Sequence, residues 1–172
     1  YERILMTKFL LLIFSVIFSL SSNALEVTLT QGSIKPTPIA VTNLYSLNSN
    51  FEQIGKNISN VISDNLERSG LFVPLNQKAF IQNNKSLSEQ PRFEDWKVIK
   101  AQHLVAGKIS GSNGKISVEF RLYDVFQQKQ LVGRKYETNE KNWRRVAHII
   151  SDSVFKNITG EGGYFDTRIV YV

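Results

Sequence analysis

Cysteine is absent from the 172 residues, methionine occurs once and histidine twice. The missing thiols exclude a disulfide framework, a four-thiolate zinc site, a cysteine nucleophile and a thioether-linked lipid anchor on an N-terminal cysteine. Stability must come from packing. Long apolar runs are also scarce: Phe9–Leu20 is the one such stretch, where a polytopic membrane protein needs several. Neither a Gly-x-Ser-x-Gly nucleophile elbow nor a Gly-x-x-x-x-Gly-Lys-Ser/Thr phosphate loop occurs, which removes two common catalytic signatures. What is present is a 42% apolar fraction with 21 basic against 15 acidic residues. That balance is foldable, not disordered, and one domain is the simplest reading.

The single methionine, Met6, opens Met6-Thr7-Lys8 ahead of the twelve-residue apolar run. The run is too short for a hydrocarbon core that takes about 20 residues. It ends in Ser21-Ser22-Asn23-Ala24, with small side chains three and one before a break between Ala24 and Leu25. Residues 6–24 therefore read as a secretory leader, since an anchor or buried helix needs neither the lysine nor the small-residue exit. Tyr1–Leu5 precede the start and read as an upstream extension. Losing the leader with Glu2, Arg3 and Lys8 lowers the net charge from +6 to +5, so the exported product stays basic. Its basic residues are spread along the chain, and the adjacent pairs Arg134-Lys135 and Arg144-Arg145 lack interleaved stacking aromatics.

Leu25–Thr30 alternates apolar and polar residues, the period of a strand with one buried face. Gly32 and the Pro36/Pro38 pair break it and keep the connector extended, so residues 25–38 form a strand on a linker. The body, residues 39–172, restarts with a strand over Ile39–Tyr45. Asn50 and Gln53 fit a capping box. A helix follows with Phe51, Ile54, Ile58, Val61, Ile62 and Leu66 on one face, and Gly70 stops it. Leu71-Phe72-Val73 is a short buried strand ended by Pro74. Asn76–Gln90 is a polar surface connection, mobile by its composition. Pro91 sits in the first turn of a second helix, with Phe93, Trp96 and Ile99 inward. His103–Ser110 has a nearly continuous apolar centre, the pattern of a strand covered on both faces. Asn113-Gly114 is a hairpin turn. It leads into the alternating strand Ile116–Tyr123 and then a strand over Gln130–Thr138. The last helix spans Asn142–Thr159 and Gly160 ends it. Tyr164–Val172 closes as a strand. The order β-β-α-β-α-β-β-β-α-β predicts an α/β domain with a mixed sheet and helices on at least one face.

No constellation for catalysis emerges. His148 and Asp152 lie at i,i+4 on the last helix, but two ligands without a companion make a poor metal site, and a hydrogen bond is the simpler expectation. Glu94 and Asp95 are adjacent on a helix and point apart, as first-turn acids favoured by the helix dipole do. The triplets starting at Asn57, Asn84 and Asn157 match the glycosylation pattern by chance. No cofactor and no metal is expected, and an interaction domain becomes the default.

The best binding element is the mature N-terminus. Released edge groups on Leu25, Glu26, Val27, Thr28, Leu29 and Thr30 can add a strand to a partner's sheet while Leu25, Val27 and Leu29 fill pockets. The competing reading is that this strand completes the domain's own sheet. The two are compatible if it docks and releases.

Several strings together resemble the amino-terminal domain of the TolB family of the Tol–Pal envelope system. They are a leader followed by Glu26-Val27 and Gly32, Pro38-Ile39-Ala40-Val41, Asp64-Asn65-Leu66-Glu67-Arg68-Ser69-Gly70-Leu71-Phe72, and Trp96 ahead of Leu104-Val105-Ala106-Gly107. Phe120-Arg121-Leu122-Tyr123-Asp124-Val125 and the ending Gly160-x-x-Gly163-x-Phe165-x-Thr167-Arg168-Ile169-Val170-Tyr171-Val172 complete the set. The resemblance spans essentially the whole mature chain. It implies a non-enzymatic periplasmic adaptor of Gram-negative bacteria that supports outer-membrane integrity and invagination during cell division. In the family the mature N-terminal segment engages TolA, which maps here onto Leu25–Thr30 with Gln31, Gly32 and Ser33. Family members continue into a six-bladed β-propeller that binds the lipoprotein Pal. This chain carries no propeller repeats, so the expectation of Pal binding is weakened, and the sequence reads as a fragment or a split or decayed frame. The alternative to the adaptor is a basic exported α/β module for nucleic acid or another anionic partner, whose affinity would fall steeply with salt. A small periplasmic enzyme is the least favoured reading.

Overall fold

The structure is a computed structural model that describes residues 35–167. Five strands form one mixed sheet in the order β2-β1-β3-β4-β5. They are β1 (Thr37–Val41), β2 (Phe72–Pro74), β3 (His103–Ser112), β4 (Lys115–Asp124) and β5 (Lys129–Asn139). β1 runs parallel to both β2 and β3, whereas β3, β4 and β5 form an antiparallel meander. Four helices accompany them: α1 (Ser49–Arg68), α2 (Asn84–Glu89), α3 (Phe93–Val98) and α4 (Trp143–Thr159). The α/β expectation with a mixed, partly antiparallel sheet is borne out.

Two separate cores follow from the period of β3. Val105 and Ile109 join Ile39, Val118, Phe120 and Leu122 under α1 and α4, which contribute Ile58, Ile62, Leu66, Val146, Ile150 and Val154. Leu104 and Ala106 point the other way, into a smaller core with Ala40, Leu87, Trp96, Tyr123 and Val125. β3 is thus covered on both faces, as its apolar run requires. Each fully buried aliphatic side chain here contributes about 1.5–3 kcal/mol relative to exposure.

The helix faces and turns agree with the sequence pattern, with instructive shifts. Asn113 (φ 52°) and Gly114 (φ 73°) make the two-residue turn that joins β3 to β4. The cap of α1 is Asn48, not Asn50: its side chain accepts from the Asn50 amide at 3.0 Å, and Gln53 bonds Asn57 instead of reaching back. The expected strand over Ile39–Tyr45 stops at Val41, and only Tyr45 rejoins the sheet, bridging Lys108. Gly55 explains how the chain between them is held. A Cβ on it would lie 2.8 Å from the Leu44 carbonyl, so a residue unfavourable in mid-helix is what lets α1 approach this loop. One turn on, Ser59 donates to the Thr42 carbonyl at 2.8 Å and accepts from the Leu44 amide at 3.2 Å.

The largest departure is Asn76–Gln90, expected as a mobile polar connection. It contains a 3-10 turn over Gln77–Ala79 and the short helix α2, capped by Asn83, whose side chain accepts from the Ser86 amide at 2.9 Å. Leu87 anchors it in the smaller core. Gln82, only 3% exposed, is its tie to α3. Its Oε1 accepts from the Arg92 amide at 2.8 Å and from Trp96 Nε1 at 3.2 Å, and its Nε2 donates to the Gln90 carbonyl at 2.8 Å. Pro91 therefore precedes α3 by two residues and does not occupy its first turn. Tyr164–Thr167, expected to open a closing strand, form no strand, and the rest of that element lies outside the described residues. The leader and Leu25–Thr30 also lie outside them.

Replacing Gln82 by Ala strands the Trp96 indole N–H and the Arg92 amide, each costing about 1–3 kcal/mol when buried without a partner. Urea denaturation of Gln82→Ala is expected to show a loss of that order, whereas Asn76→Ala, which removes an exposed turn cap, is expected to lose less.

Candidate interaction surface

Strand addition requires an unpaired edge, and among the described residues the sheet has two edges of unequal quality. At β2, Thr37 N–H donates to the Leu71 carbonyl and Leu75 N–H to the Ile39 carbonyl. By strand alternation the groups of Phe72 and Pro74 face outward, and Pro74 has no N–H to give. That edge is three residues long and nearly without donors. β5 is eleven residues long and pairs only with β4 among the described residues. Its exposed positions include Lys129, Arg134, Lys135 and Glu137, the charged trim that discourages indiscriminate edge pairing.

Beyond Leu87 the smaller-core face of the meander is polar. Glu119 accepts from Arg121 at 2.6 Å and from Lys108 at 3.2 Å, and Lys135 pairs with Glu137 at 2.8 Å. The hydrogen bond between Lys135 and Glu137 raises the pKa of the lysine and lowers that of the glutamate, holding both charged. Such exposed pairs add little to stability. At the hairpin end a shallow depression of about 530 Å³ is lined by Ser110, Ser112, Lys115, Ser117, Glu137 and Asn139, among others. It brings together hydroxyls, one amine and one carboxylate.

The residues weighed for chemistry are occupied structurally. The Asn65 amide donates toward His148 Nδ1 at 2.9 Å and to Ser151 Oγ at 3.0 Å, and Ser151 donates to the Ala147 carbonyl, so His148 belongs to a polar link between α1 and α4. Asp152 accepts two backbone amides, from Phe165 and Asp166. Glu94 pairs with Lys97 and Asp95 with Arg92, pointing apart as expected. Among the described residues no group of three His, Asp or Glu side chains is placed to hold a metal. Arg145 reaches Asp166 at 3.4 Å and the Arg144 guanidinium lies 5.0 Å from the Trp143 ring. Ala24 and Leu25–Ser33, the cleavage and partner-binding positions read from the sequence, lie outside the described residues. Sequence reasoning missed Gln82, Gly55 and Asn65, for which nothing in the local pattern gave a signal.

Residues 25–131 match the family model described as the TolB amino-terminal domain. The chain belongs to that family. It is 47% identical over 148 residues to the Tol-Pal system protein TolB of Paramagnetospirillum magneticum, a match that covers 86% of this chain and 33% of the relative. The chain thus spans about a third of the length of that TolB. The crystal structure of TolB from Acinetobacter baumannii superimposes with a TM-score of 0.64 at 22% identity, covering 77% of this chain and 30% of the other, a likeness of fold. The resemblance drawn from local strings is borne out, and the match begins at the residue expected to follow the leader.

His103 is half-buried at the start of β3, and its Nδ1 has no hydrogen-bond partner among the described residues. Burial lowers its pKa below the ordinary 6.5, partly offset by the carboxylate of Asp124 opposite. The unfolded chain therefore binds a proton more readily than the fold, and His103 costs stability as pH falls through 6.5 toward its folded-state value. The urea midpoint is expected to drop between pH 7.5 and 5.5, with a smaller drop in His103→Gln; equal slopes would show that His103 does not contribute.

Proposed function

We propose that this TolB amino-terminal domain is a non-enzymatic, periplasmic adaptor of the Tol–Pal system that engages TolA through Leu25–Ser33. In that role it supports outer-membrane integrity and the invagination of the envelope at division. The observation that carries the reading is the family match beginning at Leu25, the residue that a cut after Ala24 exposes. Among the described residues, both cores are assembled from residues at or beyond Ile39. A segment that follows a free amine, alternates in polarity and precedes a proline-bearing connector suits backbone pairing to a partner's sheet, with Leu25, Val27 and Leu29 supplying side-chain specificity. Pal binding is not assigned to these residues.

The test is titration of the leader-free chain with the C-terminal domain of TolA. Binding is expected, and deletion of residues 25–33 is expected to abolish it while leaving the circular-dichroism melting curve in place. Unchanged affinity in the deletion would overturn the role of the segment. Substituting Val27→Asp and Leu29→Asp together is expected to weaken binding more than Thr28→Asp, because the two apolar side chains share one face.

A further inference from the structure

Gly160 ends α4 in the left-handed conformation at φ +82° and turns the chain back along the helix. A turn alone would need nothing more, yet the returning segment is fastened at several points. The Asp152 carboxylate accepts the Phe165 amide on Oδ1 at 2.7 Å and the Asp166 amide on Oδ2 at 3.0 Å. Both oxygens of one carboxylate thus hold consecutive backbone N–H groups, a charge-assisted arrangement stronger than a pair of neutral bonds. Gly163 lies so close over this residue that a Cβ on it would come within 2.5 Å of Asp152 Cα. Phe165 meets Phe155 edge-on at 5.8 Å, and Tyr164 meets the same ring at 5.7 Å. Phe155 in turn touches Phe72 of β2 at 6.2 Å, which connects the fastening to the larger core.

We propose that Gly160–Asp166 is a clasp that holds the returning chain in one orientation against α4 as far as Thr167, with Asp152 as its closing group. The three requirements are separate. Gly160 reverses the chain, Gly163 allows contact with the helix, and Asp152 binds the two amides that follow. Thr167 is then held in one orientation against α4. The salt bridge from Arg145 to Asp166 is long and exposed, and it adds little to the hold.

Amide hydrogen exchange on the 172-residue chain tests the clasp directly. The Phe165 and Asp166 amides are expected to exchange about tenfold or more slowly than an open segment, and Asp152→Ala is expected to remove that protection while β3 and β4 keep theirs. Asp152→Asn, which preserves size, is expected to lose protection on at least one of the two amides. The absence of cysteine permits a clean second measurement. Spin labels on Thr167→Cys and Lys56→Cys are expected to give a narrow distance distribution that broadens with Asp152→Ala. Fast exchange at both amides in the unsubstituted chain, or protection and distances untouched by Asp152→Ala, would overturn the proposal. So would a loss of protection spread equally through β3 and β4.

Discussion

The double burial of β3 is the constraint on which the domain depends. A strand whose consecutive residues Leu104, Val105 and Ala106 are all withdrawn from water cannot lie on a one-sided sheet. It forces α1 and α4 onto one face and α2 with α3 onto the other, and it places β1 alongside in parallel. Farther along β3 the demand lapses on the smaller-core side, where Lys108 and Ser110 follow Ala106. There the sheet is free to present the Glu119-centred polar surface and the shallow depression at the hairpin. The division between scaffold and open surface is set by where one strand stops being apolar on both sides.

The two cores are held by different means. The larger is a broad aliphatic layer, stitched across α1 and α4 by Asn65, His148 and Ser151 and closed against the β1 loop by Ser59. The smaller has few side chains, and a single amide, Gln82, satisfies the Trp96 indole and two backbone groups around it. Loss of one buried polar residue therefore weighs more heavily on the second core. A buried network that is completely bonded specifies one packing, and a partly bonded one is a liability.

Much of this architecture was legible in the sequence wherever a period was long enough to repeat. The faces of α1 and α4, the alternation of β4, the Asn113-Gly114 turn and the continuous apolar centre of β3 all carried their own physical signal. The misreadings cluster where the signal is tertiary. Asn76–Gln90 is polar residue by residue, and only Leu87 and the side chain of Gln82 attach it to the body. The cap of α1 shifted because Asn48 and Asn50 are chemically equal candidates and the backbone path decides between them. Tyr164–Thr167 were expected to open a strand, but Asp152 draws the Phe165 and Asp166 amides to the helix. The binding segment is legible only from alternation, the leader and the family resemblance, and it lies outside the described residues.

The proline at the end of β2 has a further consequence. A sheet with one rim nearly stripped of donors and the other fringed by lysine and arginine is poorly suited to stacking side by side with copies of itself. Val73, exposed on that rim, is therefore a small solubility risk: the backbone beside it offers almost nothing for an incoming chain to hold.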